Sequence, residues 1–125
     1  MFKELFESKK SETIIYDNMG TSGTSLCKRL SWDDQGLLSN AIKSNKEFNK
    51  IEGWFEDAID SDQKYSYPIV IQYKGKKLSL YGANGKWRIG GNAPTGGKEG
   101  FYNCNEISNI KISDLAKELK KAKIK

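Results

Sequence analysis

Residues 67–91, YPIVIQYKGKKLSLYGANGKWRIGG, constrain the fold more than any other stretch, because hydrophobic alternation and turn chemistry there demand the same shape. Tyr67, Ile69, Ile71 and Tyr73 alternate with Pro68, Val70 and Gln72, the period of two that marks a half-buried strand. Lys74-Gly75 and Asn84-Gly85 then supply two tight turns. Asn-Gly between alternating hydrophobics suits a type I′ hairpin, which needs positive φ at both central residues. The stretch therefore predicts a three-stranded antiparallel meander.

Two-residue turns also set the register, and register decides which side chains share a face. Tyr73 should lie opposite Lys76, Ile71 opposite Leu78, Ile69 opposite Leu80, and across the second turn Gly82 opposite Trp87, Tyr81 opposite Arg88 and Leu80 opposite Ile89. Ile69, Ile71, Leu78, Leu80, Trp87 and Ile89 then form one apolar face that helices must cover. Val70, Gln72, Lys77, Ser79, Tyr81, Lys86 and Arg88 form the other, an exposed basic face with a tyrosine directly opposite an arginine. The fold class expected is α+β, an antiparallel meander of about four or five strands with one face covered by helices.

Around this meander the chain divides readily. Residues 2–8 carry Phe2, Leu5 and Phe6 at helical spacing, and residues 12–16 read as a strand. Residues 20–25 are glycine, serine and threonine, followed by a helix-compatible segment at residues 26–30. Such a loop can cradle a phosphate, but it matches neither dinucleotide nor P-loop spacing and reads first as a surface loop with a Ser or Thr helix cap. Ser31 is placed to cap a helix whose first turn holds Asp33 and Asp34 and whose apolar side is Trp32, Leu37, Leu38, Ala41 and Ile42. After a break at Ser44-Asn45, a second helix from Lys46 to about Ile59 is expected to cover the meander.

That second helix places Glu52, Glu56 and Asp60 in line, a feature that is ordinarily a solvated acidic face. Asp60 opens a segment resembling a calcium loop, but Lys64 stands where an oxygen ligand belongs, so no metal site is expected. Beyond the meander, residues 90–106 form a glycine-rich loop with Phe101 and Tyr102 plugging into the core. Residues 107–112 are expected to add a fourth strand to the meander, and Ser113 to cap a last helix with Leu115, Ala116 and Leu119 inward.

Composition narrows function chiefly by exclusion. Histidine is absent from all 125 residues, which removes histidine-dependent nucleophiles, zinc hydrolases and imidazole acid–base pairs. Charge is lopsided: residues 31–66 carry eight acids against four bases, whereas residues 67–110 carry six bases against two acids. The mixed N-terminus and the lack of a long apolar run point to a cytoplasmic chain of one domain over residues 1–125 with no membrane association. Two cysteines, Cys27 and Cys104, are expected to be reduced thiols.

No residue pattern identifies a reaction, and neither a catalytic residue nor a cofactor is assigned. The reading is a small non-catalytic binding protein that offers Lys77, Tyr81, Lys86 and Arg88 to an acidic partner, either nucleic acid or an acidic protein surface, in an inhibitor- or immunity-like role. The alternative is a metal-independent ribonuclease in which the same cations stabilise a phosphorane. A phosphate ligand at residues 20–25 is a third idea.

Overall fold

In a computed structural model, residues 12–16, 24–50, 69–83, 86–93 and 97–125 are described. The meander forms in the predicted register, and the Asn84-Gly85 turn itself lies outside the described residues. β3 (Ile69–Tyr73), β4 (Lys76–Ala83) and β5 (Lys86–Gly91) pair antiparallel in the predicted register, including Ile71 with Leu78, Leu80 with Ile89 and Tyr81 with Arg88. Lys74 and Gly75 both have positive φ, 52° and 88°, as a type I′ turn demands.

Three short strands extend this sheet. β1 (Ile14–Tyr16) runs antiparallel beside β3, β6 (Lys123–Ile124) lies parallel to β1, and β2 (Ser25–Arg29) lies antiparallel to β5. The order is β2-β5-β4-β3-β1-β6, an α+β sheet of six strands rather than four or five. The surplus comes from β2 and β6. Residues 26–30 had the composition of a helix, yet β5 offers an unpaired edge beside them and the ladder satisfies more backbone groups than an isolated turn would.

The predicted apolar face is buried throughout: Ile69, Ile71, Leu78, Leu80, Trp87 and Ile89 are each 0% exposed. Helix α1 (Trp32–Ser44) and helix α3 (Ile112–Leu119) cover it with Leu38, Ala41, Ile42, Ile112, Leu115, Ala116 and Leu119. Ser31 caps α1 by accepting from the Asp34 amide at 3.2 Å. Trp32 and Leu37 depart from the expected apolar side, at 76% and 40% exposed. The expected second helix begins as a 3-10 turn, Lys46–Lys50, and the rest of it, with its acidic line, lies outside the described residues. The segment at residues 2–8 and most of the loop at residues 20–25 lie outside them too.

Two buried amides tie helices to sheet and to each other. Beyond the end of β2 at Arg29, the Trp87 amide donates to the Gln35 side-chain carbonyl of α1 at 2.6 Å. Asn45, just past α1, donates to the carbonyls of Leu119 and Ala122 at 2.6 and 2.8 Å, closing the end of α3. Among the described residues no buried side-chain nitrogen or oxygen is left without a partner.

The C-terminal part departs from expectation at residues 107–112, which are not a strand. Asn103 and Glu106 form a reciprocal capping box that starts helix α2 (Cys104–Ser108), burying Ile107, and Ile112 then opens α3 behind Lys111. Ser113 is thus inside α3 rather than its cap. Ile107 and Ile110 are three apart, a helical step that their β-branched composition disguises. Phe101 and Tyr102 do plug inward, at 6% and 9% exposed. Phe101 extends the sheet beside Lys77, with the Lys77 amide donating to Gly100 and the Tyr102 amide to Lys77.

Candidate nucleic-acid interface

Register assigns the face opposite the helices residue by residue. One row across the sheet is Lys123, Ile14, Gln72, Lys77 and Phe101; the next is Tyr16, Val70, Ser79, Gly90 and Leu26; the third is Tyr81, Arg88 and Arg29. None of these positions carries a carboxylate. Lys77, Tyr81 and Arg88 therefore share a face as predicted, and Lys86 takes its register place opposite Ala83.

The face is not the open polar surface expected. Val70 and Ser79, at its centre, are 0% and 2% exposed. Tyr81 reaches over Gly90, its Cε1 lying 3.5 Å from where a Gly90 side chain would begin. Tyr16 donates from its hydroxyl to the Gln72 side-chain carbonyl at 3.1 Å, and the Lys77 ammonium crosses β3 to sit 6.0 Å from the Tyr16 ring centre. That lysine–ring contact is a cation–π pair, which holds the ammonium against the aromatic face without neutralising it.

The third row holds the residue that sequence reading missed. Arg29 of β2 pairs with Arg88 of β5, placing two guanidinium side chains opposite one another on adjacent strands. Arg29 is exposed and Arg88 half-buried, with Arg88 Nη1 donating to the Trp87 carbonyl at 3.2 Å. The ion pairs formed among the described residues lie elsewhere, Lys76 with Glu106 and Lys121 with Glu118. Like charges directly opposite destabilise a sheet, and here no described acid relieves them. Arg29 escaped notice because residues 26–30 suited a helix; β2 becomes visible only when β5 needs a partner.

Beyond the first row, at the β3–β4 turn, further cations sit against rings. Lys74 lies 5.2 Å from the Tyr73 ring centre, Lys76 5.8 Å from that of Tyr102 and Lys98 5.5 Å from that of Phe101. Lys76 also bonds Glu106 at 2.5 Å, and this contact, with the Asn103 amide, holds the Glu106 carboxyl below its usual range. Burial pushes the Tyr102 hydroxyl up, aided by Tyr73 and Glu106, so it stays neutral and donates to the Tyr73 carbonyl. The Asn92 side chain accepts from the Lys98 amide at 2.5 Å and donates to the Lys98 carbonyl at 2.6 Å, tying Lys98 back to the end of β5.

The cysteines correct another expectation. Cys27 and Cys104 are joined in a disulfide that ties β2 to α2 across 77 residues of sequence, with Cα atoms 5.0 Å apart. Spacing in the sequence could not reveal this, because the bond depends on β2 lying at the sheet edge beside α2. No group of three or more potential metal-ligating side chains occurs among the described residues. No helix among them is long and apolar enough to cross a membrane. Compared with known protein families, curated proteins and solved structures, the chain matches none.

Proposed function

We propose that this protein is a binding module whose sheet face receives an acidic macromolecule. The observation that carries the reading is the row Tyr81, Arg88 and Arg29 on three adjacent strands, in a face whose described, paired positions carry no carboxylate. Lys77 and Lys86 belong to the same reading. Arginine forks suit bidentate recognition of phosphate or carboxylate, and an aromatic ring beside them adds contact area at little entropic cost. Nucleic acid and an acidic protein surface, the latter in an inhibitor- or immunity-like role, both meet this description.

Binding is favoured over RNA cleavage because the face offers cations to stabilise charge but neither carboxylate nor histidine to take a proton. A labelled RNA incubated with the protein in EDTA should remain intact; cleavage abolished by Arg88→Ala would establish the ribonuclease reading instead. For binding itself the test is retention on polyanion columns at low salt, released as salt rises because phosphate contacts exchange for counterions. Absence of retention on any polyanion would end this reading.

A cytoplasmic setting remains part of the proposal, and the disulfide is where it is vulnerable. Lasting disulfides are rare in reducing compartments. Free-thiol titration of protein taken directly from its native cells decides it: two reactive thiols fit the cytoplasm, none an oxidising compartment.

A further inference from the structure

We infer that Arg29 and Arg88 form a paired-guanidinium subsite for a phosphodiester, with Tyr81 beside it as the stacking surface for a base, so that the acidic partner is a single-stranded nucleic acid. The inference rests on the binding reading above and narrows it to one class of partner. Three observations carry it.

The first is a bulge. Ser25 opposite Gly91 and Leu26 opposite Gly90 set a register that, continued regularly, would bring Lys28 opposite Arg88. The ladder shifts between Leu26 and Lys28, and Arg29 takes that place instead. Bulges re-aim side chains at functional edges, and this one exchanges a point charge for a planar fork. The second is electrostatic frustration. Two arginines hold Cα-paired positions on adjacent strands and neither forms an ion pair with a described carboxylate, an arrangement that costs stability until an anion enters. A phosphate carries oxygens enough for both arginines, and guanidinium is the side-chain group best suited to them.

The third observation concerns the neighbouring ring. Tyr81 is next in the same row as Arg88, half-buried, and its ring lies over Gly90, where a side chain would collide with Ser79 Oγ and with the Ser25 carbonyl. An aromatic ring in the same row as a phosphate-binding arginine pair matches the repeat of a single strand, in which each base follows its phosphate. In a duplex the bases are stacked away from such a ring. An acidic peptide could use the two forks but has no base for the ring.

The test is fluorescence anisotropy of a labelled twelve-nucleotide oligouridylate with the oxidised protein, beside the same length of duplex and a poly-glutamate of similar charge. The single strand should bind most tightly. Arg29→Gln and Arg88→Gln should each weaken it about tenfold and lower the salt slope by about 0.7 per lost phosphate contact. Tyr81→Ala should weaken it roughly tenfold, whereas Tyr81→Phe keeps the ring and should bind like wild type. Without any ligand, Arg29→Gln should raise the melting temperature by about 1–4 °C by removing the repulsion, a readout that does not depend on binding.

Equal binding of duplex, or single-strand binding indifferent to both arginine substitutions, overturns the inference. Poly-glutamate bound as well as the oligonucleotide, with the same arginine dependence, overturns it while leaving the acidic-partner reading intact. Failure of all three polyanions to bind at low salt removes both. A melting temperature lowered by Arg29→Gln shows that the pair is not frustrated and also counts against it.

Discussion

At the scale of single residues, the two faces of the meander differ in what a substitution removes. Leu80 is fully buried and paired with Ile89, so Leu80→Ala should cost about 2–5 kcal/mol in denaturant unfolding, through lost transfer energy and a cavity. Tyr81→Ala should cost clearly less, since Tyr81 is only half-buried. Gly90→Ala belongs with the core changes although it adds a single methyl group. Its Cβ would come within 2.9 Å of the Ser25 carbonyl, and the strand can yield only by moving β2, so about 1–3 kcal/mol should be lost. Urea titration of the three variants at constant m-value checks the ranking Leu80→Ala above Tyr81→Ala. Of the residues named for binding, Lys77, Tyr81 and Arg88 could be placed from sequence because each lies within the meander, where turn length alone sets the face.

At the scale of elements, the short α2 depends on its cap more than on its length. Five residues cannot sustain a helix alone, so the Asn103–Glu106 box and the Lys76–Glu106 pair hold it in place. Glu106 has a lowered folded-state pKa, so its contribution is fully present above its ordinary unfolded value near 4.5 and is lost as pH falls through the lower folded value. Acid titration followed by amide signals of residues 104–108 should show this helix fraying, and Glu106→Gln should remove the pH dependence. Gln35 plays the corresponding part for α1. Gln35→Ala leaves the buried Trp87 amide without its acceptor and should cost about 1–3 kcal/mol, measured against Gln35→Glu, which retains an acceptor. Neither dependence could be seen in the sequence, where Gln35 is an ordinary polar residue on a helical stretch and Glu106 closes a glycine-rich loop.

At the scale of the whole molecule, the disulfide joins an edge strand to a distant helix and closes a loop of 77 residues. Reduction should lower stability by about 2–4 kcal/mol through the unfolded chain's regained entropy, a loss a domain of this size survives. Melting with and without a dithiol checks it, and Cys27→Ser/Cys104→Ser should match the reduced protein. What the sequence by itself determined was the meander: two turns of two residues, a register that follows from them, and an apolar side that had to be buried. These are local consequences of φ preference and of period-two alternation, and they hold before anything else folds. The α+β class follows, because an apolar sheet face needs helices and the Ser31 cap starts one. Tertiary structure alone decided the rest. Residues 25–29 became β2 because β5 had an edge to satisfy, and residues 104–108 became helix, in place of a strand from 107, because Asn103 and Glu106 capped one another beside Lys76. The pairing of Arg29 with Arg88, and of Cys27 with Cys104, depends on where β2 lands and on the one-residue bulge within it. Such contacts join residues far apart along the chain, and no local preference encodes them.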